Sequence, residues 1–155
     1  MAWPNGSIQD ISSIATAVGV FFAAFQLWHT RARAITTFED TLANEYREII
    51  DRLPTEAMFG ESLTAEVQLK HLHDFYRYLD LTNNQVFLRK IRRISKKTWR
   101  FWSEGIETNL ARPAFAAAWA EISRRAGNDF SELRRLIAEG FETDPRSWVA
   151  WYRKR

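Results

Sequence analysis

Two hydrophobic patterns divide the chain. From Ile8 to Trp28 the residues are largely apolar, and Asp10 is the only ionised side chain among the first 28. Beyond residue 30, apolar positions return at steps of three and four, the spacing of an amphipathic helix. Phe38, Leu42, Tyr46, Ile49 and Leu53 make one stripe, with Glu39, Asp40, Glu45, Arg47 and Glu48 mostly on the other faces. Pro54 stops that helix, and the stretch to Gly60 reads as a loop. A second helix starts near Ser62 or Thr64, with Leu69, Leu72, Tyr76 and Leu79 as its apolar face and Phe75 beside them. Thr82-Asn83-Asn84 predicts a break. Ser95 has the chemistry of an N-cap for a helix whose stripe is Trp99, Trp102, Ile106 and Leu110. Pro113 suits a first helical turn, and Phe115, Trp119 and Ile122 continue the pattern to Gly127. Asp129 or Ser131 then caps a short helix carrying Leu133, Leu136 and Ile137, closed by Gly140.

No run alternates at strand period, and six Gly with four Pro leave little room for a turn-rich β fold. The expectation is all-α: an N-terminal transmembrane helix in residues 1–30, then a compact bundle of five or six helices in residues 31–155. The first segment is long enough to cross a hydrocarbon core of about 30 Å at roughly 1.5 Å per residue. Trp3 and Trp28 bracket it, where indole rings favour the interface. All 22 Lys and Arg lie beyond Trp28, beginning at Arg31 and Arg33. By the positive-inside rule the protein is single-pass, with its N-terminus outside and its C-terminus in the cytoplasm. The missing basic residues at the start argue against a cleaved signal peptide. The polar residues Ser12, Ser13, Thr16 and Gln26 leave a helix buried in a larger fold as the competing reading. Ala15, Gly19 and Ala23 recur every four residues, so they share a face on which two helices approach closely, and Gln26 near that face offers a hydrogen bond across.

Composition removes several chemistries. Without Cys there is no disulfide, thiolate zinc site or cysteine nucleophile. His71 and His73 are two apart on a helix and point opposite ways, so no metal or other cofactor is expected. No Gly-x-Ser-x-Gly turn or phosphate-cradling loop occurs. The chain reads as non-enzymatic.

The strongest polar signal is Arg89, Lys90, Arg92, Arg93, Lys96, Lys97 and Arg100, with no acidic residue between Phe87 and Trp102 and aromatic side chains interleaved. This run suits phosphate. For a chain tethered to the inner leaflet the nearest phosphates are anionic lipid headgroups; nucleic acid is not expected, because no known module is present. The tail, with Trp148, Trp151, Tyr152, Arg153, Lys154 and Arg155, has the same character. Tyr76, Tyr78, Asp80, Asn83, Asn84 and Gln85 form a polar-aromatic stretch with two readings: a site for a peptide or small ligand, or helix capping and satisfaction of buried donors.

The stretches TTFEDTLANEYREI from Thr36, FYRYLDLTNNQVFLR from Phe75 and ISKKTWRFWSEGIETNLARPAFAAAWAEI from Ile94 resemble in layout small bacterial proteins with one N-terminal membrane helix and a cytoplasmic all-α domain. The resemblance implies a bacterial inner-membrane location and an all-α fold, and supplies no activity and no site residues. The sequence therefore points to a membrane-anchored interaction module. Its partners are the bilayer and a second copy of itself or another membrane protein. The alternatives are a membrane-perturbing toxin or defence effector and an accessory subunit of a larger membrane complex.

Overall fold

The computed structural model describes residues 35–148 together with Gln26, Leu27 and Thr30. The chain divides into two units, residues 1–38 and 39–155, and the first falls almost wholly outside the described residues. The predicted span, with Ala15, Gly19 and Ala23, lies outside them too; Gln26 is helical and exposed. Among the described residues no helix is long and apolar enough to cross a membrane.

The described residues form an all-α bundle without strands. Residues 35–50 are helical (α1), followed by α2 (Thr55–Met58), α3 (Ala65–Lys70), α4 (Leu72–Lys90), α5 (Lys96–Leu110), α6 (Pro113–Arg125) and α7 (Ser131–Ala138). The central helix is α4, which packs against α3, α6 and α7, while α5 and α2 lie on α6. Its buried positions are Phe75, Tyr78, Leu79, Leu81, Thr82, Gln85, Val86, Leu88 and Arg89. Phe75 and Tyr78 each meet the edge of Phe115 on α6, at centroid separations of 5.1 and 5.0 Å.

Several local signals hold. Ser95 caps α5, its Oγ accepting from the Thr98 amide at 3.2 Å, and Pro113 opens α6. Others are corrected. The stretch after Pro54 contains the short helix α2, whose Ala57 is fully buried. The break falls at His71, between α3 and α4, and the helix runs unbroken through Thr82-Asn83-Asn84. Thr82 stays helical by donating back to the Tyr78 carbonyl at 2.8 Å. The Asn83 side chain reaches away, its Oδ1 accepting from the Glu132 and Leu133 amides at 3.1 Å each. It thereby caps α7 from another helix. The residue at the α7 N-cap is Phe130, in the left-handed region at φ 61° and without a side-chain cap of its own. The break at His71 puts Leu69 on α3, where it is exposed, and the buried face of α4 differs from the predicted stripe, so Tyr76 is exposed as well.

Arg89, at the C-terminal end of α4, is 1% exposed. Its Nε donates to Asp144 Oδ1 at 2.8 Å, a second nitrogen engages the other carboxylate oxygen, and a third donates to the Ile94 carbonyl at 2.8 Å. A buried guanidinium is tolerable only when its donors are matched in this way. The pair pins the segment after α7, where Trp148 is buried and its Nε1 donates to Glu139 at 2.8 Å and Thr143 at 3.1 Å. Burial pushes the Asp144 carboxyl up, but the Arg89 guanidinium and the Arg146 amide and charge outweigh it, leaving the group below its ordinary value of 3.8.

Two outcomes follow for chemical denaturation of the detergent-solubilised chain. Asp144→Asn should cost about 1–3 kcal/mol, below the range for breaking a fully buried pair because Asp144 is partly exposed. The depressed carboxyl binds fewer protons folded than unfolded, so its contribution is present above pH 3.8 and is lost as pH falls through the folded value. The stability gap between wild type and Asp144→Asn should therefore narrow in acid.

Candidate functional site: the basic corner and the adjoining groove

The turn from α4 into α5 gathers most of the predicted basic run. After α4 ends at Lys90, Arg92 takes a left-handed conformation at φ 67° and reverses the chain. Arg92, Arg93, Lys96, Lys97 and Arg100 are all exposed, and among the described residues none has a carboxylate within ion-pair distance. Helical spacing sets Lys96 above Arg100 and Lys97 above Phe101. The Phe101 ring is 76% exposed, and Phe87 and Ile91 at the end of α4 are exposed as well.

Two members of the run do not belong to this surface. Arg89 is the buried partner of Asp144, so its charge is spent inside the fold. Lys90 is half-buried and paired with Glu132 at 2.7 Å, joining α4 to α7. In the tail, Trp148 belongs to the core, while Trp151, Tyr152, Arg153, Lys154 and Arg155 lie outside the described residues.

The corner is held by a carboxylate that sequence reasoning assigned to a solvated face. Glu39 on α1 accepts from the Ser95 amide and from Thr98 Oγ1, both at 2.6 Å. A negative group at the first turn of α5 satisfies an orphan donor and complements the helix dipole. It thereby fixes the start of the helix that carries Lys96, Lys97 and Arg100.

On the other side of α5 lies a cavity of about 490 Å³ between α1, α4 and α5. Asn109 organises its floor: its Oδ1 accepts from Arg112 at 2.6 Å, and its Nδ2 donates to Tyr78 Oη at 3.1 Å and Tyr46 Oη at 3.4 Å. Tyr78 is fully buried, and burial raises its pKa well above the ordinary 10.0, so it remains a neutral phenol. Gln85 also lines the cavity, with Phe101, Trp102 and Ile106 from α5. The polar-aromatic stretch singled out in the sequence therefore splits. Asn83 caps a helix, Tyr78 and Gln85 face the groove, and Asp80 and Asn84 are exposed. Tyr46, which the sequence places in the apolar stripe of the first helix, joins the groove from α1, and Asn109 and Arg112, which carry no sequence signal of a site, join it from and just beyond α5.

Among the described residues no cluster of three or more metal-ligating side chains occurs. His71 Nδ1 lies 3.2 Å from Asp74, and His73 is exposed. Comparison with known proteins gives no match to a family model, to a curated protein or to a solved structure, so the site stands on its geometry.

Glu39→Ala should cost about 1–2 kcal/mol, the range for losing a helix cap. It should also speed hydrogen exchange at the first amides of α5, with little change at Leu79 and Val86 in the middle of α4.

Proposed function

We propose that the protein is a membrane-anchored, non-enzymatic helical module whose α4–α5 corner rests on an anionic lipid surface at the cytoplasmic face of a bacterial inner membrane. One observation carries the lipid reading: five exposed cations with no carboxylate partner among the described residues surround a turn that also exposes Phe87, Ile91 and Phe101. Elsewhere on the surface Arg124, Arg125 and Arg135 are paired with carboxylates, whereas the corner concentrates five cations that are not. Unpaired cations beside exposed rings suit a headgroup layer, where charge meets phosphate and the rings enter the boundary. The anchor is supported by the uncharged run to Trp28 and by the placement of every Lys and Arg after it.

Within that reading, self-association runs through Ala15, Gly19, Ala23 and Gln26, whose four-residue spacing gives a close-packing face. Gly19→Leu should shift the detergent-solubilised particle from oligomer to monomer in light scattering, and a monomer in both samples removes this part.

The lipid reading is tested with the full-length chain in nanodiscs. Amides 92–101 should exchange more slowly in discs containing phosphatidylglycerol than in purely zwitterionic ones. The protection should fade at high salt. Each of Arg93, Lys96, Lys97 and Arg100 changed to Gln should weaken the contact by about 1 kcal/mol, roughly fivefold. Equal exchange in the two lipids would overturn the proposal. A chain stripped from membranes by carbonate would remove the anchor.

A further inference from the structure

The groove between α1, α4 and α5 has features that packing does not account for. Gln85 is 4% exposed, yet among the described residues none donates to or accepts from its side-chain amide. Among the described residues no buried side-chain polar atom lacks a partner, so the Gln85 amide is reached by solvent and is open to a ligand's polar groups. Here the amide faces the cavity. Asn109 donates to both phenol oxygens, so Tyr46 keeps its own proton to give, with no acceptor for it among the described residues. Arg47 and Arg112 also line the cavity, engaging Asn44 and Asn109 respectively, neither of them a carboxylate. Among the described residues Glu104 is the single acidic side chain there.

Gly105 adds an independent sign. It lies in the middle of α5, where glycine is among the poorest helix formers. No positive φ requires it, and a Cβ built on it would meet nothing within 4 Å. Neither backbone conformation nor packing explains a glycine at this place. It lines the cavity, and the absence of a side chain keeps that wall open.

We infer that the groove binds an aromatic carboxylate: a planar apolar body against Phe101, Trp102 and Ile106, with its carboxylate taking hydrogen bonds from Gln85 and Tyr46 in the field of Arg47 and Arg112. The donors outnumber the acceptors, which favours an acceptor-rich head. Two guanidiniums against one carboxylate favour an anion over a neutral amide. The cavity is within the size range of small-molecule sites, about 300–1,000 Å³.

The test uses the full-length detergent-solubilised chain and 2-naphthoate as the probe, followed by equilibrium dialysis, with 2-naphthylmethanol as the uncharged comparator. Naphthoate should bind saturably, one per chain, and more tightly than the alcohol. Gln85→Leu and Tyr46→Phe should each weaken it by about three- to tenfold, the loss of one hydrogen bond. Gly105→Leu should abolish binding while melting no lower than wild type, because it fills the groove and improves the helix. Should Gln85→Leu misfold, Tyr46→Phe removes a single oxygen and carries the comparison. Uptake by Gly105→Leu equal to wild type would mean partition into the micelle and would overturn the site. Equal affinity for the alcohol would overturn the carboxylate.

Discussion

A guanidinium held out of water at the end of a central helix sets much of this fold. Left unmatched, the Arg89 charge would cost several kcal/mol, so the chain around it must deliver acceptors to a fixed place. Two distant pieces do so: the Ile94 carbonyl from the turn after α4, and Asp144 from the segment after α7. Each is then committed to a position. The turn that supplies Ile94 is the same turn that projects Arg92 and Arg93 outward, and the segment that supplies Asp144 brings Trp148 into the core. One buried cation thus orders both the exposed corner and the C-terminal cover of α7.

The same logic recurs along α4 in weaker form. Thr82, Asn83, Gln85 and Arg89 are polar residues on a helix that is otherwise apolar on its buried side, and all but Gln85 have an identified partner within the protein. Thr82 uses its own helix, Asn83 uses the open end of α7, and Arg89 uses two loops. The exception lies where the bundle is not closed, against the groove beside α5. That contrast is what makes Gln85 informative. In a helix whose other buried polar groups are matched within the protein, the Gln85 amide is the one left to solvent in the groove, where a ligand's polar group can replace water.

How much of this the residues announce depends on the range of the interaction. The Ser95 cap and the Pro113 start are legible because donor, acceptor and turn lie within a few positions. The continuity of α4 through Thr82-Asn83-Asn84 is not, since these are helix-breaking residues by local preference and Asn83 finds its partners about fifty positions later. For the same reason Phe130, with no capping side chain, begins α7 where Asp129 or Ser131 has the better local chemistry. Arg89 cannot be told from Arg92 and Arg93 by composition; only Asp144, 55 positions away, separates a core cation from surface ones. Glu39 is likewise indistinguishable from its neighbour Asp40 until Ser95 and Thr98 arrive beside it. The groove was half visible: Tyr78 and Gln85 stand in one polar-aromatic stretch, but Tyr46, Gly105 and Asn109 gain meaning only when α1 and α5 close on α4.

Helix α5 carries both proposals on different sides, and Phe101 belongs to each. Its ring lines the groove and is also the most exposed aromatic group beside the basic corner. A ring folded over a ligand in the groove is withdrawn from a headgroup layer, and a ring inserted among lipids leaves the groove without that wall. The two placements exclude one another, so a ligand in the groove and lipid contact through Phe101 must oppose each other. By reciprocity, each weakens the other by the same factor. The cations around the ring escape this exclusion, because Lys97 and Arg100 reach outward whatever Phe101 does. Electrostatic contact would persist with the groove filled, and the apolar part of the membrane contact would be the part that yields.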